Sequence, residues 1–251
     1  MSKPGPDFYK VAQEKAAKCK QYIDLLDQSQ LKGNPQAIAD AIDDFAQENR
    51  IMTIGAAKSE EIRNRLRQLK PKHGAELGVY VGYLALRFAP LVLGTYYSLE
   101  IIPEYRDIAQ HFIQLAGLTN VKFLLGDLAT TLVKLHDELN LSEPSKRSVL
   151  DFLLIDHAKE LYLPDIRTIE TLNLVTVGLV IVADNCKTKY GVPAYLEYIR
   201  LTPEARRQFI ETEPNPNGYY PGRWNILYEN TPVDFGFDAI EVSVVKAYLD
   251  G

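Results

Sequence analysis

The stretch Leu153-Leu154-Ile155-Asp156-His157-Ala158-Lys159, read together with Val180-Ile181-Val182-Ala183-Asp184-Asn185, decides how this chain folds. Each begins as a short, continuous apolar run, the pattern of a strand buried on both faces of a parallel sheet. Each then breaks within one residue into oxygen-bearing side chains. Open α/β sheets bind ligands beyond the carboxyl ends of their strands, so Asp156, Asp184 and Asn185 are expected to converge on one point. Three hard oxygen donors carrying two negative charges suit a divalent cation such as Mg²⁺, which keeps positions for water or substrate oxygens.

Working outward, apolar runs at 75–77, 96–101, 121–125, 152–155 and 177–183 alternate with helical patterns near 83–91, 103–116, 128–139 and 164–174. Alternation of this kind predicts a parallel sheet with helices on both faces. A further helix is expected near 194–201, then strands at 209–213, 225–229 and 239–248, with a turn-rich connector at 214–222. Ahead of Gly74 the reading is helical: one helix over 7–29, one beginning at Gly33-Asn34-Pro35, and one over 58–69. Asn34 serves as cap and Pro35 fills the first turn. No repeat or long linker interrupts the chain, so residues 1–251 are expected to form a single domain, with N-terminal helices over 1–70 and a Rossmann-like core over 74–251.

With 251 residues, 46% of them hydrophobic, the chain can bury a sizeable core. A formal net charge of −5 leaves no basic footprint for nucleic acid. The basic segment 58–72 also holds Glu60 and Glu61 and reads as a solvated helix face. Cys19 and Cys186 are the only cysteines, which argues against a disulfide framework. The start lacks a signal-type apolar core, and the longest apolar stretch, 174–183, is too short to cross a bilayer as a helix. A cytoplasmic protein with neither membrane nor nucleic-acid partners is expected.

A second motif, Glu76-Leu77-Gly78-Val79-Tyr80-Val81-Gly82, follows the first sheet strand and opens a helix. It lacks the G-x-G-x-x-G pattern that seats a pyrophosphate. Glu100 ends the next strand, where a carboxylate can accept both hydroxyls of a ribose. A nucleoside cofactor without a pyrophosphate follows, and S-adenosylmethionine fits.

These passages, with Gly33-Asn34-Pro35-Gln36 and with Asp156-His157-Ala158-Lys159 running on to Tyr162-Leu163-Pro164-Asp165, resemble the catechol O-methyltransferases, class I S-adenosylmethionine-dependent enzymes that require Mg²⁺. The resemblance extends from about Gly33 to Tyr248. It implies an α/β, Rossmann-like fold: a doubly wound, mostly parallel seven-stranded sheet with extra N-terminal helices. It also implies methyl transfer from S-adenosylmethionine to a hydroxyl of a small aromatic diol, by a monomer or weak dimer.

Position by position, the resemblance implies that Asp156, Asp184 and Asn185 are metal ligands and that Lys159 is the general base. Lys159, Asn185 and Glu229 would meet the substrate. Glu76, Gly78 and Tyr80 would line the methionine part of the cofactor, and Glu100 with Ile101 its ribose. Met52 and Ile54 match cofactor-contacting positions, Gly126 and Asp127 border the adenine, and Asp156 and His157 lie on the cofactor side. Four positions depart from the pattern. Arg50, Ala158 and about Lys189 stand where the family has apolar gatekeepers, and Leu84 replaces a serine at the methionine end. The substrate could therefore be a larger or acidic vicinal diol, or the chain a cofactor-binding protein of weak catalysis.

The chemistry explains the residue types. A phenol ionises near pH 10, by analogy with tyrosine, so the reacting oxygen needs a base and a cation that stabilises its anion. Lys159, three residues beyond Asp156, can supply the first beside the second.

Overall fold

A computed structural model describes residues 6–142, 149–187 and 191–250. Two compact units divide after Gly126. In the first, α1 (Pro6–Leu25), α2 (Gln28–Leu31), α3 (Pro35–Asn49) and α4 (Ala56–Leu69) precede β1 (His73–Leu77), α5 (Tyr83–Phe88), β2 (Thr95–Glu100), α6 (Pro103–Leu115) and β3 (Val121–Leu125). Strand β2 lies between β1 and β3 and is parallel to both, with Glu76 opposite Ser98 and Leu99 opposite Leu124.

The helix expected over 7–29 is broken, and the cause is local. Asp27 adopts an extended conformation and its carboxylate accepts the Ser29 N–H at 2.9 Å, so the chain restarts as α2. Asn34 caps α3 as expected, accepting the Ala37 N–H at 3.0 Å, with Pro35 in the first turn. Ile38, Ala41, Ile42 and Phe45 then bury one face of that helix. Arg87 of α5, itself buried, donates to Asp40 and Asp43 and ties α5 to α3.

The second unit contains α7 (Leu128–Ser142), β4 (Phe152–Ile155), α8 (Tyr162–Thr171), β5 (Val180–Ala183), α9 (Pro193–Ile199), α10 (Pro203–Thr212), β6 (Ile226–Asp234) and β7 (Ala239–Tyr248). Strands β4 and β5 are parallel, and β7 is antiparallel to both β5 and β6. Within the first unit the strand order is β3-β2-β1, and within the second it is β4-β5-β7-β6. Parallel strands alternating with helices make this the α/β, Rossmann-like fold expected from the sequence. Among the described residues no helix is long and apolar enough to cross a membrane.

One expected strand, 209–213, proves instead to fall largely in the last turns of α10. Phe209 and Ile210 gave it a strand-like composition, but tertiary contacts override that preference. Thr202 accepts the Ala205 N–H, Pro203 starts the helix, and Arg206 is swallowed completely. The Arg206 guanidinium lies over the rings of Tyr198 and Tyr228 and donates to the Ile226 and Leu201 carbonyls. Beside it, buried Glu170 accepts the hydroxyls of Tyr198 at 2.5 Å and Tyr228 at 2.8 Å, and the Arg223 N–H at 3.0 Å. This knot fastens the connector after α10 onto α8.

Candidate active site

In the first unit the backbone leaves β1 at Gly78 and turns through Tyr80 and Gly82, all three with positive φ. Gly78 donates its N–H to the Leu99 carbonyl at 3.0 Å. Gly82 must lack a side chain: a Cβ there would sit 2.8 Å from the Ala109 Cβ and 3.0 Å from its Cα, on α6. The strand-end acid reaches this turn directly. Glu100 Oε2 accepts the N–H groups of Val79 at 3.0 Å and Tyr80 at 3.1 Å. Its Oε1 accepts those of Ile101 and Ile102, each at 2.9 Å. A carboxylate has about four lone-pair sites, so Glu100, only 7% exposed, spends all of them on backbone.

Glu76 sits beneath the turn, fully buried, accepting the Ser98 Oγ–H at 2.6 Å and the Tyr96 O–H at 3.2 Å. Burial pushes its carboxyl up to about 8, against the opposing pull of those two hydroxyls and with a smaller push from Glu100. It is therefore mostly neutral at pH 7. Tyr80 packs edge-on against Tyr105 and donates its hydroxyl to the Ala12 carbonyl at 3.1 Å, which holds α1 to the turn. Gly126 donates its N–H to the Glu100 carbonyl at 2.9 Å. Of the other expected cofactor contacts, Ile54 is buried, whereas Met52 and Ile101 are exposed. Leu84 is buried in α5.

In the second unit, Ile155 and Ala183 are partners across β4 and β5, and the Asp184 N–H bonds the Ile155 carbonyl at 3.1 Å. Asp156 and Asp184 each follow directly on this last pair, at the carboxyl ends of the two neighbouring strands. The buried Tyr162 hydroxyl feels both: its ionisation is driven well up, first by burial and then by the charges of Asp156 and Asp184. Asn185 lies in the left-handed region at φ 59°. Its Nδ2 donates to Asp184 Oδ2 at 3.1 Å and to Asp238 Oδ2 at 3.2 Å.

Lys159, half-buried, opens a 3-10 turn, Lys159–Leu161, immediately after Ala158. His157 bonds Asp165 through Nε2 at 2.8 Å and stacks on Tyr162 with centroids 4.9 Å apart. Asp165 in turn accepts from Asn217 at 2.8 Å. Asp127 caps α7, accepting the Thr130 N–H at 2.9 Å, and that bond draws its carboxyl below the usual range.

The structure does not bring Glu229 to this corner. Glu229 lies opposite Val244, level with Val180 at the start of β5, and pairs on the surface with Lys246 at 2.8 Å. Four residues of strand, about 13 Å, separate it from the level of Asp184. Arg50, exposed, is the left-handed cap of α3, and its carbonyl accepts from Lys15 at 3.1 Å. Lys189 lies outside the described residues. The buried acid beside Asn185 is Asp238, which the sequence did not single out; it precedes β7 without any motif. Asp165 closes the run that begins at Asp156-His157, and no local pattern reveals its bond to His157.

Two carboxylates and an amide fit a hard dication. Among the described residues no three His, Cys, Asp or Glu side chains gather as a metal group.

The profile of the O-methyltransferase family matches residues 38–193, and the chain belongs to that family. Catechol O-methyltransferase of Bos taurus is 34% identical over 180 residues, covering 69% of this chain and 62% of that protein. The Mus musculus enzyme is 35% identical over 175 residues, covering 67% and 62%. That of Sus scrofa is 32% identical over 157 residues, covering 60% and 79%. The match thus spans about 62% of the length of the bovine and murine relatives. Among solved structures, an O-methyltransferase of Bacillus cereus in complex with SAH has a TM-score of 0.52 at 20% identity, covering 77% of this chain and 83% of that one. SAH-bound PaMTH1 of Podospora anserina has a TM-score of 0.54 at 16% identity, covering 98% and 99%.

Proposed function

We propose that this chain is a Mg²⁺-dependent O-methyltransferase that moves a methyl group from S-adenosylmethionine to one hydroxyl of a catechol-type diol. The observation that carries the reading is that Asp156 and Asp184 directly follow the last paired residues of β4 and β5, Ile155 and Ala183, with Lys159 three residues beyond Asp156. Membership of the O-methyltransferase family supports it, as do relatives named for methylating catechol. A cation held by Asp156, Asp184 and Asn185 would supply Lewis acidity and a template for two adjacent oxygens.

The chain's own residues do the rest. Asp156 and Asp184 fix where two vicinal oxygens are held. Lys159 accepts the proton of the reacting hydroxyl, a role worth about 10²–10⁴-fold in rate. Glu100 takes the ribose hydroxyls, which would replace the N–H bonds it now accepts from Val79 and Tyr80. Glu76 keeps Ser98 and Tyr96 in place under the glycine turn. The reading takes the setting to be cytoplasmic, in keeping with two free cysteines, Cys19 and Cys186.

Lys159→Ala tests the base. Turnover with catechol should fall at least about 100-fold while S-adenosylmethionine binding, measured by calorimetry, stays unchanged. Undiminished turnover would remove Lys159 from the mechanism. A larger or carboxylate-bearing vicinal diol is a second reading, favoured by Arg50 and Ala158 in place of apolar walls; comparing catechol with catechol acids in wild type and Arg50→Ala separates the two.

A further inference from the structure

Asp238 precedes β7, at the close of the turn from β6, and is only 3% exposed. The residues that follow Asp184 are docked on this point. The Cys186 N–H bonds the Ala239 carbonyl at 2.8 Å, the Lys187 N–H reaches Asp238 Oδ1 at 3.4 Å, and Asn185 Nδ2 reaches Asp238 Oδ2 at 3.2 Å. The same Nδ2 also reaches Asp184 Oδ2 at 3.1 Å.

The end of the Asn185 amide that faces both carboxylates is the nitrogen, which donates to each. A planar amide whose nitrogen is fixed in this way turns its carbonyl oxygen to the other side. A cation needs that oxygen. We propose that Asp238 is a positioning residue: with Asp184 it forks the Asn185 amide nitrogen and thereby presets the carbonyl oxygen as a ligand. The inference rests on the metal reading above and assigns Asp238 no contact with the cation. With Asn at 238, the partner can donate as well as accept, and the preference for one amide orientation is lost. Outer partners of metal ligands are typically worth about 10–100-fold in affinity.

The test is calorimetric titration of Mn²⁺ into the full chain, without methyl donor or substrate, for wild type, Asp184→Ala, Asp238→Asn, Asn185→Ala and the Asn185→Ala/Asp238→Asn double variant. We expect Asp238→Asn to weaken Mn²⁺ binding at least about 10-fold, and to add nothing further in the Asn185→Ala background. If Asp238→Asn does not fold, as judged by circular dichroism, Asp238→Ser is read in its place. Binding equal to wild type overturns the inference. An equal loss in both backgrounds also overturns it, because Asp238 would then act through its charge or as a ligand. A wild type that takes up no Mn²⁺, or Asp184→Ala binding as well as wild type, overturns the metal reading and this inference with it.

Discussion

Replacing Glu76 with glutamine isolates one buried charge. Its carboxyl moves from an ordinary 4.5 to about 8, chiefly because burial disfavours the charged form. Below about pH 4.5 the folded and unfolded chains both hold this proton, and the site costs nothing. Between there and pH 8 the unfolded chain has released the proton while the folded chain keeps it. Stability therefore falls with rising pH, by about 1.4 kcal/mol per pH unit. Over the whole window the loss is on the order of 5 kcal/mol, and between pH 6 and pH 8 about 2 kcal/mol. Above about pH 8 the folded chain ionises too and the decline ends.

Glu76→Gln is neutral at every pH and retains an acceptor for Ser98, so it lacks this decline. Urea denaturation of both proteins at pH 6, 7 and 8, followed by far-ultraviolet circular dichroism, measures the difference. The other titrations are common to both proteins and cancel. The stability of the variant minus that of wild type should rise by about 2 kcal/mol from pH 6 to pH 8. A difference that stays flat would refute the claim that Glu76 is held neutral by burial.

Gly82→Ala should destabilise by about 2–4 kcal/mol, from left-handed backbone strain plus a clash with Ala109 on α6. Gly33→Ala, which has a similar φ but nothing within 4 Å of the added Cβ, should show the strain alone, about 1–2 kcal/mol; equal losses in the two would remove the close approach from the account. Glu229→Ala should leave methyl transfer unchanged and shift stability by less than about 1 kcal/mol, because its ion pair with Lys246 is exposed. A large loss of activity would return Glu229 to the site.

Where the chain itself carries the cause, the sequence was readable. The apolar runs ending at Ile155 and Ala183 specified β4 and the end of β5, and the pairing of those strands sets Asp156 and Asp184 just beyond the same end of two neighbours. Asn34 and Pro35 marked the start of α3 through bonds only three residues long. What escaped depends on distant partners. Segment 209–213 looked like a strand until Arg206 found the carbonyl of Ile226, 20 residues away. Strand β6 continues to Asp234, and its pairing with β7 leaves Glu229 level with Val180, which no local pattern reveals. Asp238 meets Asn185 across 53 positions of sequence, through the β5–β7 pairing. The strand-end position of Glu100 suggests a ribose, but nothing in the sequence indicates that four backbone N–H groups meet its carboxylate.

The central claim is that the β4 and β5 ends hold a cation for methyl transfer to a diol, and mass-spectrometric detection of monomethylated catechol tests it most directly. Wild type with S-adenosylmethionine and Mg²⁺ should form the product, lose it in excess chelator and regain it when Mg²⁺ is restored, while Asp184→Ala forms none under any condition. Product formed undiminished in chelator, or by Asp184→Ala at the wild-type rate, would contradict the claim.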